Sequence, residues 1–292
     1  MSALRLATES TLLLLGIAAT AYNESSARDY VWVNQAMSVE DTALLKTWTC
    51  GLPCDQASAV GNVQLLRHES TGNFGIAAHR AEACLLVFRG SKNAMNWLQD
   101  AGFFKKAPYD SCPDCQVHTG FYEAWEVLRG QAEERLRDLD CQGRQLHITG
   151  HSLGAAMASL AAWELLEKGF DVAEVYTFGE PRVGNAAWVS QFQEKMKGRS
   201  FYRVVHYKDP APHYPFLNFG FRHAGPEVYY STWTSGPYTI CIDGEDTSCS
   251  GQWNVFQCIF DGCLHCSYLG LNPCEPGAMK PSCNSRRLAE PK

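Results

Sequence analysis

Gly150-His151-Ser152-Leu153-Gly154 is the stretch of this chain whose residue types and spacing can carry chemistry. The strand-like run Gln145-Leu146-His147-Ile148-Thr149 leads in, and the small-residue helical run Ala155-Ala156-Met157-Ala158-Ser159 leads out. A serine on such a strand-to-helix turn presents its hydroxyl at the C-terminal edge of a sheet, and the glycines let strand and helix approach closely. The Leu153 amide, at the helix N-terminus, then points to where an oxyanion would form. The chemistry expected is acyl transfer with Ser152 as nucleophile.

A serine hydroxyl needs a base, and the base needs an acid to orient it; on this kind of turn both follow the serine in chain order. Asp209 ends the strand-like run Phe201–Tyr207 ahead of Pro210, which places a carboxylate at the same sheet edge as Ser152. Asp243, Glu245, Asp246 and Asp261 sit in loop-like surroundings and read as solvated. Three histidines follow Asp209. His213 is too near it to swing onto Ser152, and His223, before the alternating run Glu227–Tyr230, reads as structural. His265 lies among cysteines that would pin its loop, and is the favoured base.

The elements that must position these groups alternate along the chain. Strands are expected at Asn62–Arg67, Phe74–His79, Ala83–Phe88, Gln145–Thr149, Val172–Phe178 and Phe201–Tyr207, and helices at Phe121–Leu139, Ala155–Lys168 and Ala186–Lys197. Continuous apolar strands separated by helices predict an α/β fold, a mostly parallel sheet covered on both faces. The chain has 292 residues, 46% hydrophobic and 19% charged, which excludes disorder, and a net charge of −6, which argues against nucleic acid as a main partner.

Residues 1–21 read as a secretory signal: Arg5 supplies the positive start, Thr11–Ala21 the apolar stretch, and Ala19-Thr20-Ala21 the small-x-small cleavage pattern. A first helix of the mature fold is the alternative. Residues 22–292 are expected to form a single domain, with the sequon Asn23-Glu24-Ser25 at its start. All 13 cysteines lie beyond the signal, and their short spacings (Cys50 with Cys54, Cys112 with Cys115, Cys241 with Cys249) suit disulfide staples in an oxidising compartment better than zinc ligation. Cys84, in a run expected to be a buried strand, is the candidate free thiol.

From about Trp48 to Leu271 the chain resembles the class 3 lipases, secreted fungal-type triacylglycerol lipases of the α/β-hydrolase fold. The resemblance rests on Trp48-Thr49-Cys50 with Cys54, Phe88-Arg89-Gly90-Ser91 with Asn96-Trp97, Val117-His118-Thr119-Gly120-Phe121, and Gly150–Gly154. It rests further on Phe178-Gly179-Glu180-Pro181-Arg182-Val183-Gly184-Asn185, Asp209-Pro210-Ala211-Pro212-His213, and His265-Cys266-Ser267-Tyr268. It implies a Ser152–Asp209–His265 triad, with an oxyanion hole from the backbone amides of Ser91 and Leu153 and with His118 and His151 in support. It implies a lid over Ser91–Gln99, with Ala94, Met95, Trp97 and Leu98 on its apolar face, which Phe103 and Phe104 beside Lys105 and Lys106 could extend. Departures are Ala155 for a second glycine, Leu264 and Cys266 around the base, and no cysteine near Met37 to pair with the C-terminus. The partner of Cys274 is therefore open, with Cys283 one candidate.

The expectation is a secreted enzyme that cleaves carboxylic esters of lipids at an oil–water or membrane interface, foremost triacylglycerol, and that requires no metal or organic cofactor. The alternatives are a phospholipase A1 or a feruloyl or soluble-ester esterase on the same scaffold, or an inactive lipid-binding domain.

Overall fold

The computed structural model describes residues 21–57, 59–91, 102–232, 236–258 and 262–278. Of the expected signal only Ala21 is among them, and the lid residues Ala94, Met95, Trp97 and Leu98 lie outside the described residues, as does Cys283.

Eight strands form one sheet: β1 (Val60–Arg67), β2 (Phe74–Arg80), β3 (Ala83–Phe88), β6 (Gln145–His151), β7 (Asp171–Phe178), β8 (Ser200–His206), β9 (Glu227–Tyr230) and β10 (Tyr238–Cys241), in that spatial order. The pairs from β3 through β9 are parallel, and β1, β2 and β10 join antiparallel at the edges. A two-stranded ribbon, β4 (Lys105–Lys106) and β5 (Val117–His118), stands apart. Every side chain of β3 and β8 is buried, as strands covered on both faces require; β3 is an unbroken apolar run, whereas β8 buries Arg203 and His206 among its apolar residues.

Alternation along the strands sorts residues to two cores. Leu146, Ile148, Val172 and Val175 point to one face, where α4 (Thr119–Asp138), α5 (Leu153–Glu167) and α6 (Ala186–Lys195) bring Trp125, Trp163 and Trp188. Tyr176, Phe178, Tyr202 and Val204 point to the other, against Tyr30, Val31 and Val33 of α1 (Glu24–Ala36). Two short helices, α2 (Thr42–Lys46) and α3 (Leu52–Gln56), lead from α1 to β1. The sequence reading places no helix at α1. Its start is the sequon residue Asn23, whose side chain accepts a hydrogen bond from the Ser26 amide at 3.0 Å and caps the helix.

The expected pairs Cys50–Cys54, Cys112–Cys115 and Cys241–Cys249 are disulfides. Two expectations are corrected. Cys84 is bonded to Cys141: β3 and β6 are neighbours, and the turn Cys141–Gly143 that feeds β6 sets Cys141 against the start of β3. The free cysteine among the described residues is Cys258, which is buried. Cys274 is bonded to Cys266, because a tight turn pairs Tyr268 with Leu271 and carries the chain back.

Candidate active site

Ser152 sits between β6 and α5 at φ 58°, ψ −125°, a conformation that only a strained turn imposes on a residue with a side chain. The turn is that tight because its glycines permit it. A methyl on Gly150 would lie 2.1 Å from the Gly154 carbonyl oxygen, and one on Gly154 would lie 2.1 Å from that of Phe88. The Ser152 amide donates to the Phe178 carbonyl at 2.9 Å, tying the turn to the end of β7. Leu153 opens α5, so its amide has no acceptor within the helix. Ser91 follows β3 by three residues, and Gly90 before it packs so closely that a methyl there would be 2.8 Å from the His151 carbonyl oxygen.

Asp209 is fully buried three residues past β8, and His265 ends the short helix α8 (Gly262–His265), which follows α7 (Val255–Cys258). His265 Nδ1 lies 3.0 and 3.1 Å from the two Asp209 oxygens. The Tyr268 hydroxyl also donates to Asp209, and the Ala211 amide donates to it at 2.9 Å. Burial alone would raise the Asp209 carboxyl, but His265, Tyr268 and the Ala211 amide outweigh it and hold it at about 2. The acid is therefore ionised across the neutral range. His265 Nε2 is buried and has no hydrogen-bond partner among the described residues.

His151, the residue before Ser152, links the Ser152 turn to the His265 imidazole. Its Nε2 donates to the His265 carbonyl at 2.7 Å, and the two rings lie 4.4 Å apart. Burial, followed by the neighbouring His265, lowers its pKa to about 3, so it stays neutral beside that imidazole. Gly179, at φ 58°, closes the junction: a methyl there would be 2.8 Å from Asp209 Oδ2, 2.9 Å from His265 Cε1 and 2.9 Å from the Tyr268 hydroxyl. The arrangement offers a hydroxyl on a strained turn, an imidazole held by an ionised carboxylate, and helix-terminal amides: the parts list of acyl transfer.

The other candidates fall elsewhere. His118 caps α4, accepting from the Phe121 amide through Nδ1, while its Nε2 donates to the Gly102 carbonyl at 2.7 Å; burial lowers it to about 4. His223 donates through Nε2 to the Pro212 carbonyl at 2.7 Å, the structural role expected of it. His213 is buried with Nε2 unpartnered among the described residues. Glu245 is not solvated as expected. It forms a two-bond ion pair with Arg182, which, with the His223 amide, outweighs burial and lowers its pKa. Tyr268 belongs to the site although the sequence assigned it no role.

The sheet order, the strained serine and the position of its partners define an α/β-hydrolase fold. The family model described as Lipase (class 3) matches residues 85–219. A secreted mono- and diacylglycerol lipase A of Penicillium cyclopium is 35% identical over 178 residues, 60% of this chain and 56% of its own length. The chain thus spans little more than half the length of that relative. The solved triacylglyceride lipase of Rhizomucor miehei superposes with a TM-score of 0.74 at 26% identity, over 88% of this chain and 97% of that one. A further structure, of a triacylglycerol lipase whose catalytic centre is described as a serine protease triad, superposes with a TM-score of 0.74 at 26% identity, over 88% of this chain and 97% of its own. The chain is thus similar to the class 3 lipase family over residues 85–219, and to the lipases of Penicillium cyclopium and Rhizomucor miehei.

Proposed function

We propose that this protein is a serine hydrolase that cleaves carboxylic esters of acylglycerols, triacylglycerol foremost, and acts outside the cell. The observation that carries the reading is the His265–Asp209 pair, packed through His151 and Gly179 against the strained turn of Ser152. In the reaction, His265 Nε2 takes the Ser152 proton as Oγ attacks the ester carbonyl, and Asp209 stabilises the imidazolium that forms. The amides of Leu153 and Ser91 receive the charge on the former carbonyl oxygen. His265 then returns its proton to the leaving alcohol, and water activated by the same imidazole releases the acid. The substrate class draws support from the Penicillium and Rhizomucor relatives, which are named as acylglycerol lipases. Secretion draws support from the relative named as secreted, from the expected signal over residues 1–21, and from the disulfides of residues 22–292, which we take as one domain.

An exposed apolar surface fits an oil–water or membrane interface. Phe103 stacks on Phe219 with ring centroids 4.2 Å apart, and Phe104, Leu217 and Phe219 stand exposed around it.

The test is the rate on emulsified triacylglycerol, phosphatidylcholine and a feruloyl ester for the wild type, Ser152→Ala, His265→Ala and His223→Ala. Ser152→Ala and His265→Ala should each lose at least about 10³-fold in kcat with the fold retained, while His223→Ala should act on stability. Appreciable activity in Ser152→Ala defeats the mechanism, and a preference for either other ester moves the substrate class.

A further inference from the structure

We infer that the disulfide-closed loop Cys241–Cys249, remote from Ser152 in the chain, holds the turn that carries Asp209 in register, and that Glu245 and Arg182 are positioning residues for the His265–Asp209 pair. The inference rests on the hydrolase reading for its catalytic consequence, but the geometry stands by itself.

Asp209 is followed by the stiff turn Pro210–His213 and then by Tyr214 and Pro215. Four successive backbone carbonyls of this segment are taken up by only two residues. His223 Nε2 donates to Pro212 at 2.7 Å. Arg182 Nη1 donates to His213 at 2.8 Å and Pro215 at 3.0 Å, and the Arg182 amide donates to Tyr214 at 2.7 Å. Both residues converge on one carboxylate. Glu245 Oε1 accepts from Arg182 Nε at 2.8 Å and from the His223 amide at 2.9 Å, and Oε2 accepts from Arg182 Nη2 at 2.8 Å.

The fork is planar and both of its edges are committed, so the guanidinium has one orientation while Glu245 is in place. Arg182 is 5% exposed. A buried guanidinium that loses its carboxylate must turn to find another partner or water, and the carbonyls of His213 and Pro215 turn with it. Glu245 itself is placed by its loop. Cys241–Cys249 closes that loop, the Gly244 carbonyl accepts from Arg203 Nη2 at 3.1 Å, and Ser250 just beyond it bonds Glu227. A segment remote from the nucleophile thus reaches the acid by one carboxylate, one guanidinium and a short stiff turn.

The experiment compares Glu245→Gln, Arg182→Lys and the paired Cys241→Ser/Cys249→Ser change in the full chain. Three quantities are read: kcat and KM on a dissolved p-nitrophenyl ester, the urea midpoint, and the far-downfield proton resonance of the His265 Nδ1–H donated to Asp209. A displaced acid predicts a kcat fall of about tenfold to a hundredfold with KM little changed, and a shifted or lost resonance in protein that is still folded. Folded variants with wild-type kcat and an unmoved resonance overturn the inference, whatever the urea midpoint does. If Glu245→Gln does not fold, Arg182→Lys and the cysteine pair report the same quantities. Should the wild type show no Ser152-dependent hydrolysis, the hydrolase reading falls, and the resonance alone still decides whether the loop holds Asp209.

Discussion

Gly179→Ala separates the shape of the site from the general cost of a methyl on a left-handed glycine. Gly179 has φ 58°, and a Cβ there would meet Asp209 Oδ2 at 2.8 Å and His265 Cε1 and the Tyr268 hydroxyl at 2.9 Å, where ordinary contact is 3.4–4 Å. Each neighbour would have to retreat by about half an ångström or more. The backbone conformation costs about 1–2 kcal/mol for a residue with a side chain, and overpacking a dense interior adds about 1–3 kcal/mol. The matched control is Gly169→Ala, just past α5, where φ is 81° and nothing lies within 4 Å of the added methyl. Gly169→Ala should therefore lose only the backbone share of stability and keep wild-type kcat. Gly179→Ala should lose about 2–5 kcal/mol in urea unfolding and about tenfold to a hundredfold in kcat on a dissolved ester. If the two variants show the same kcat, the packing around Gly179 does not set the geometry of Asp209 and His265, and the account of the site is wrong.

Tyr268→Phe removes a donor from Asp209 and should raise its pKa. Because the folded-state value near 2 lies below the ordinary 3.8, Asp209 contributes stability above about pH 4 that is lost as pH falls toward 2; the variant should unfold at a higher pH in an acid titration followed by circular dichroism. Alkylation of the denatured, unreduced protein should label Cys258 and leave Cys84 unlabelled in a peptide map; label on Cys84 would contradict its bond to Cys141. Phe104→Ser with Phe219→Ser should weaken hydrolysis of an emulsion far more than that of a dissolved ester, and equal losses on both would remove these rings from the lipid-contacting surface.

The parallel strands were legible because burial on both faces favours apolar runs, continuous in β3 and interrupted by polar residues in β7 and β8. β3 begins and ends where the sequence places it, and β6, β7 and β8 differ by at most two residues at an end. α1 escaped because Asn23 and Glu24 open it with polar residues beside an apolar stretch already read as a signal, and β10 escaped because three of its four side chains are exposed. Ser152, Asp209 and His265 could be singled out as candidates because each lies at a local signature: a glycine-flanked turn, a strand end before proline, a cysteine-bounded loop. Tyr268, Glu245 and the Cys84–Cys141 bond carry no such mark. Their meaning lies in partners 59, 63 and 57 residues away, and only the folded chain brings those together.

The Cys84–Cys141 bond gives the molecule a property that matters after damage. Its ring spans 57 residues, a closure that by chain entropy disfavours the unfolded state by about 4 kcal/mol. The same ring encloses Ser91 and all of α4, and lies wholly on the N-terminal side of Ser152. A protease that cuts the backbone once anywhere inside it makes two fragments that remain covalently one molecule. For a cut beyond Ser91, the fragment bearing Ser91 and the fragment bearing Ser152 cannot diffuse apart, and each stays at high effective concentration for the other. Such a chain can be nicked once inside the ring and still stay one molecule.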